Sequence, residues 1–139
     1  MTPEQIEHVQ HSFSRVAPIA EHAAALFYER LFSLDPNLRP LFKGDMVQQG
    51  RMLMQTLALA VRGLQNPTAL VPALEQMGQR HVTYGVSEAH YDTVGSALLW
   101  TLEQGLGDAY TPAVAAAWQE AYGLLAGVMK AGARKAEAA

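Results

Sequence analysis

A single histidine lies among apolar residues in the stretch Leu74 to Val86, LEQMGQRHVTYGV. Leu74, Met77, Gly78 and His81 recur at the three-and-four spacing that puts side chains on one face of a helix. An imidazole turned toward a core needs both ring nitrogens satisfied, because an unpaired buried polar group costs about 1–3 kcal/mol. Two chemistries meet that need. His81 is a core histidine hydrogen-bonded to a neighbour, the commoner role for an isolated one. Alternatively, one nitrogen binds a metal while the other N–H is held by a backbone carbonyl about one turn earlier, near Met77, which fixes the tautomer. Other chemistry-bearing residues are scattered along the chain. Tyr28 stands at the edge of an apolar face, either as a core tyrosine with its hydroxyl at the rim or as a phenol aimed into a pocket. Gln49 heads the stripe Gln49, Leu53, Leu57 and Ala60. His8 and His11 lie three apart but off the apolar face of their helix, and lacking a third ligand they read as solvated surface.

Composition narrows the chemistry. The chain has no cysteine, which removes disulfides, thiolate catalysis, zinc–thiolate sites and iron–sulfur clusters. Any metal must be held by histidine or carboxylate. With 139 residues, 50% hydrophobic and 17% charged, the sequence describes one globular domain over residues 1–139, with about 133–139 expected to fray. A formal charge of -3 leaves no basic surplus for a phosphate backbone, so nucleic acid is not an expected partner. The start, MTPEQIEHVQ, lacks a basic segment followed by an apolar core, and no apolar run is long enough to span a bilayer. A cytoplasmic protein without membrane insertion is expected. There is no phosphate-cradling glycine loop, serine elbow or paired carboxylate on a shared apolar face.

The elements that must position these residues are helices, and no stretch reads convincingly as a strand. Thr2, Pro3 and Gln5 form a start signal for a helix ending near Val16, where Pro18 interrupts it. A second helix, Ile19 to about Leu34, turns Ile19, Ala23, Leu26, Phe27 and Leu31 inward. Asp35-Pro36 opens a short third helix to about Phe42, and Lys43-Gly44-Asp45 reads as a turn. The fourth runs from about Met46 to Arg62. Gly50 inside it suggests a close backbone crossing, with Ala24 as the candidate partner. Asn66-Pro67 starts the fifth, which Pro72 is expected to make irregular and Tyr84-Gly85 ends. Ser87 caps a sixth helix that stops around Gly105 and Gly107, and Thr111-Pro112 starts the last.

Taken together, FYERLFSLDPNLRPLF, GQRHVTYGV, HYDTVGSALL and WQEAYGLLAGVM resemble the globin domains of bacterial flavohaemoglobins and of the single-domain Vitreoscilla-type haemoglobins. The likeness covers essentially residues 1–131, in order and with the family's spacing. It implies an all-α globin fold, a three-on-three helical sandwich around haem b, with helix D short or absent. His81 falls on the proximal iron ligand, Phe42 on the phenylalanine that packs against the porphyrin, and Tyr28, Gln49 and Leu53 on the distal side. Leu57, Met77, Arg80, Tyr84, Val86 and Tyr91 are the further residues expected around the cofactor; Arg80 either reaches a haem propionate or is simply solvated. The ligands implied are dioxygen, nitric oxide or carbon monoxide, in a monomer or homodimer. Two functions follow from the resemblance. One is reversible dioxygen binding for storage or delivery; the other is nitric oxide dioxygenation to nitrate, with a separate reductase.

Two departures qualify it. Flavohaemoglobins continue into a reductase module, and these 139 residues carry no flavin or nicotinamide site. In that family a glutamate late in the last helix and a tyrosine polarise the proximal histidine. The tyrosine is present as Tyr91, but the glutamate position falls on Ala133. Glu137, one turn further, could substitute only if the last helix extends that far. Without that carboxylate the imidazole is expected to push less electron density toward the iron.

Overall fold

The computed structural model describes residues 1–138, and among them there are helices and no strand. The order is α1 (Pro3–Val16), a 3-10 turn at Ala17–Ile19, α2 (Ala20–Leu34), a 3-10 segment at Pro36–Leu41, α3 (Met46–Gly63), α4 (Pro67–Thr83), α5 (Glu88–Leu106) and α6 (Pro112–Ala138), with a short 3-10 turn at Gly107–Ala109. Local chemistry sets most of these boundaries. Thr2 and Gln5 make the reciprocal capping box, with the Gln5 N–H donating to Thr2 Oγ1 at 3.1 Å and the Thr2 N–H to Gln5 Oε1 at 2.9 Å. Asp35 and Asp45 accept from the N–H groups of Asn37 and Val47. Gly85 and Gly107 turn the chain after α4 and α5 with φ of 90° and 55°, where a side chain would be strained.

Several boundaries differ from the sequence reading. Ile19 is exposed rather than inward, because it closes the 3-10 turn Ala17–Ile19 around Pro18 and so lies off the α2 face. The third helix is wholly 3-10; Pro40 inside it has no N–H to donate and disfavours α geometry at Arg39. Pro72 leaves α4 continuous; it sits on the exposed side near the N-terminus, where one missing bond is tolerated. Asn66 gives α4 no side-chain cap. The last helix runs to Ala138, and Ala133 is buried. No helix intervenes between Leu41 and Met46, as expected for a missing helix D.

The helices form two layers, α1, α3 and α4 over α2, α5 and α6. The longest inter-layer contact is α4 on α6, with α2 crossing both α5 and α3. Val9, Phe13 and Val16 of α1 meet Leu98 and Leu102 of α5 and Trp118, Ala121 and Leu125 of α6 in one core. Trp118 is 1% exposed, and its indole N–H donates to Ser12 Oγ at 2.8 Å. Ser12 Oγ in turn bonds the carbonyl of His8 at 2.7 Å, so the tryptophan is satisfied without water.

Candidate functional site

The imidazole of His81 projects from the last turn of α4. Its Nδ1 lies 2.6 Å from the carbonyl oxygen of Met77. A carbonyl can only accept, so Nδ1 carries the proton and Nε2 is left with its lone pair. The end of the helix holds this turn in place. The Tyr84 N–H donates to the carbonyls of Arg80 and His81, both at 3.1 Å, and the Val86 N–H to that of His81 at 2.9 Å. Beside the imidazole stand the rings of Tyr91, 6.3 Å away and tilted by 31°, and Tyr84, 6.1 Å away. Tyr84 is nonetheless 59% exposed, and Arg80 is exposed on the outer flank of α4 with Gln76, Gln79 and Thr83 around a shallow concavity. That concavity is polar and open, and it is not where the apolar walls converge.

Tyr91 is buried, and its hydroxyl finds no protein partner among the described residues. Tyr122 Oη donates to the Tyr91 carbonyl at 2.6 Å, and Lys130 Nζ stands 5.7 Å from the centre of the Tyr91 ring. Burial pushes the Tyr91 phenol up, with Glu88 adding to it, and pushes Tyr122 up further. Neither Tyr122 nor Lys130 was singled out from sequence as a site residue. Tyr122 lies on the apolar spacing of α6, which reads equally as core.

A second group gathers on α2, α3 and the corner between them. Tyr28 is 8% exposed, deeper than the edge position its spacing suggested. It packs edge-on against Phe27 at 5.0 Å and Phe42 at 5.3 Å, and stacks on Phe32 at 6.0 Å. Phe32, one turn after Tyr28, was the missed member; Arg39 covers its other side at 5.1 Å. The Tyr28 hydroxyl donates to the backbone carbonyl of Gln49 at 3.4 Å, long for an O–H···O bond and therefore weak. Burial pushes this phenol up to about 12, so it remains a proton donor throughout the neutral range. The approach of Gln49 to Tyr28 depends on Gly50. A Cβ there would come within 2.8 Å of Ala24 Cβ, which is the crossing the sequence suggested. Leu53 and Leu57, one and two turns further along α3, line a small apolar void with Phe27, Leu98 and Leu102.

This donor set narrows what the site can hold. Among the described residues no three histidine, aspartate or glutamate side chains stand close enough to chelate a bare ion, and His8 and His11 gain no third partner. A metal bound by one imidazole must bring its remaining donors with it, as an iron porphyrin does. In chemical kind, the unpartnered Nε2 and Tyr91 hydroxyl and the half-buried Phe42, Leu53 and Leu57 suit a large, flat, mainly apolar group that brings its own metal donors.

Comparison with known proteins agrees with this geometry. Residues 25–129 match the globin family. The chain is 36% identical over 116 residues to a flavohemoprotein of Rhodopirellula baltica, covering 81% of this chain and 28% of that protein. It is 37% identical over 124 residues to one from Xylella fastidiosa, covering 84% and 31%. It thus spans about three tenths of the length of these relatives. Among solved structures it superposes on a bacterial globin of Campylobacter jejuni with a TM-score of 0.87 and 25% identity, covering 99% of this chain and 100% of that one. It also superposes on an engineered carbene transferase, provisionally described as a nitric oxide dioxygenase, from Rhodothermus marinus, with a TM-score of 0.88, 27% identity and coverage of 99% and 96%. The two-layer arrangement, a lone imidazole with one free nitrogen and a match over three quarters of its length together make this chain a member of the globin family, a family of haem proteins, with a globin fold.

Proposed function

We propose that this globin binds haem b through Nε2 of His81 and takes a diatomic gas on the opposite side, beside Tyr28 and Gln49, chiefly as a reversible dioxygen binder. The observation that carries this is the Nδ1–Met77 hydrogen bond, which presents a neutral imidazole with one directed lone pair. When bound, the haem would supply iron with one coordination position open to a small ligand.

The chain's own residues do the rest. Tyr28 keeps its proton far above neutral pH, and its present hydrogen bond is weak enough to give up for a better acceptor. A donor of this kind stabilises partial negative charge on a bound diatomic by about 1 kcal/mol or more in a dry site. The Gln49 amide is the second donor. Phe42 would pack on the flat face of the cofactor, and Leu53 and Leu57 would keep water from the ligand side. Met77, Val86 and Tyr91 would support the proximal side, while Tyr84 and Arg80, being exposed, would reach only its edge.

Nitric oxide dioxygenation is the second reading, supported by the flavohemoprotein relatives and by the description of the Rhodothermus marinus protein. It needs a source of electrons, which these 139 residues do not themselves carry. Against it stands Ala133, buried where a polarising carboxylate would stand by resemblance. Repeated nitric oxide additions to the oxygen-equilibrated, haem-loaded protein, with reductant and a flavin reductase present, separate the two. A single stoichiometric oxidation is the expected result; sustained nitrate production would replace the carrier reading with the enzyme.

A further inference from the structure

Helices α4 and α6 meet at two points with no side chain between them. A Cβ on Gly78 would lie 2.7 Å from the carbonyl carbon of Met129, and nearer still to its oxygen. One on Gly132 would lie 2.7 Å from the Cα of Glu75 and 2.8 Å from its carbonyl carbon. The two contacts are reciprocal. Three residues separate Glu75 from Gly78 and Met129 from Gly132, so each helix contributes one glycine and one backbone segment to the same turn of contact. Helices cushioned by side chains stand about 8–10 Å apart, and only glycine permits a closer approach. The obstruction on each side is backbone, which no rotamer change relieves.

This crossing lies one turn from the imidazole. His81 follows Gly78 at the spacing that shares a helix face, and Met77, whose carbonyl holds Nδ1, is the residue before Gly78. The imidazole therefore takes its reference from the α6 backbone through a chain with no flexible link. Lys135 and Glu75 add an ion pair at the outer edge of the same crossing, at 2.6 Å, but it is solvent-facing and contributes little.

We infer that Gly78 and Gly132 are positioning residues for His81, whose backbone contacts set the depth and tilt at which Nε2 is offered to the iron. This rests on the haem reading above. The test uses haem-loaded wild type, Gly78→Ala and Gly132→Ala, with Gly63→Ala as a control that crowds only the Leu70 side chain, 2.9 Å from where the new Cβ would lie. The readouts are the iron–histidine stretching band of the ferrous form and the rate of haem transfer to an acceptor apoprotein. Both α4–α6 variants should displace the band and speed transfer by about tenfold, the factor that 1.4 kcal/mol represents. Gly63→Ala should lower Tm without moving the band. A variant that does not fold in buffer is reconstituted in trimethylamine N-oxide, which favours burial, and read the same way. An unmoved band in both α4–α6 variants, or an equal displacement in the control, overturns the inference alone. A wild-type chain that takes up no haem overturns the haem reading as well.

Discussion

His81 Nδ1 donates to the carbonyl of Met77 at 2.6 Å, from one turn further along the same helix. That bond fixes the tautomer and restrains ring rotation. It also needs no residue outside α4. The hydrogen bond that orients the proposed iron ligand is thus local to α4, and only its placement against α6 depends on Gly78 and Gly132, whereas the proposed gas side requires α2 and α3 to meet at Ala24 and Gly50 before Tyr28 and Gln49 can act together.

Tyr28→Phe removes the phenol donor and keeps the aromatic packing against Phe27, Phe32 and Phe42. Oxygen dissociation from the haem-loaded protein should accelerate by about tenfold or more, corresponding to 1.4 kcal/mol. Stopped-flow displacement by carbon monoxide measures it, and an unchanged rate would mean that the phenol does not contact the ligand.

Alkaline stability follows from the same residue. Its phenol titrates near 10 in an unfolded chain and at about 12 in the fold, so above pH 10 the unfolded state binds fewer protons than the native one. The stabilisation is complete below pH 10 and is lost as pH rises toward 12. In urea titrations Tyr28→Phe should lose less stability than wild type between about pH 9 and pH 11, the window around the ordinary phenol value of about 10. Equal losses would contradict the depth assigned to Tyr28.

Tyr91→Phe deletes a buried hydroxyl that has no partner among the described residues. Removing such a group should stabilise the haem-free protein by about 1 kcal/mol, the low end of the penalty for an unsatisfied polar atom. Chemical denaturation of the haem-free chain tests this; a loss of stability would reveal a partner for that hydroxyl.

Much of this architecture can be read from the sequence where the determinant is local. Thr2-Pro3-Gln5 and Asp35-Pro36 mark their starts because capping involves residues within one turn. Gly50 was legible as a crossing because an interior glycine is costly without one. Gly78 and Gly132 were not, because the first passes as a small residue on an apolar face and its partner lies more than fifty positions away. Tyr28 appeared shallower than it is, since its depth comes from Phe42 and Phe32 folding over it, which spacing along α2 alone does not reveal. The packing at the end of α6 was not legible for a related reason. An alanine-rich tail frays in isolation, but here Ala133 is packed and Lys135 reaches Glu75 of α4. Glu137 thereby lies on a formed helix, with its side chain exposed rather than in place of the missing carboxylate.

The most direct test is a haemin titration of the purified wild-type chain and of His81→Ala, followed by absorption spectra in the ferric, ferrous and carbon monoxide forms. Wild type should take up one equivalent, show a five-coordinate ferrous spectrum and bind carbon monoxide, while His81→Ala should fail to retain haem or show a different axial ligand. A wild-type chain that stays colourless, or a His81→Ala protein with an unchanged ferrous spectrum, would contradict the assignment of His81 as the iron ligand.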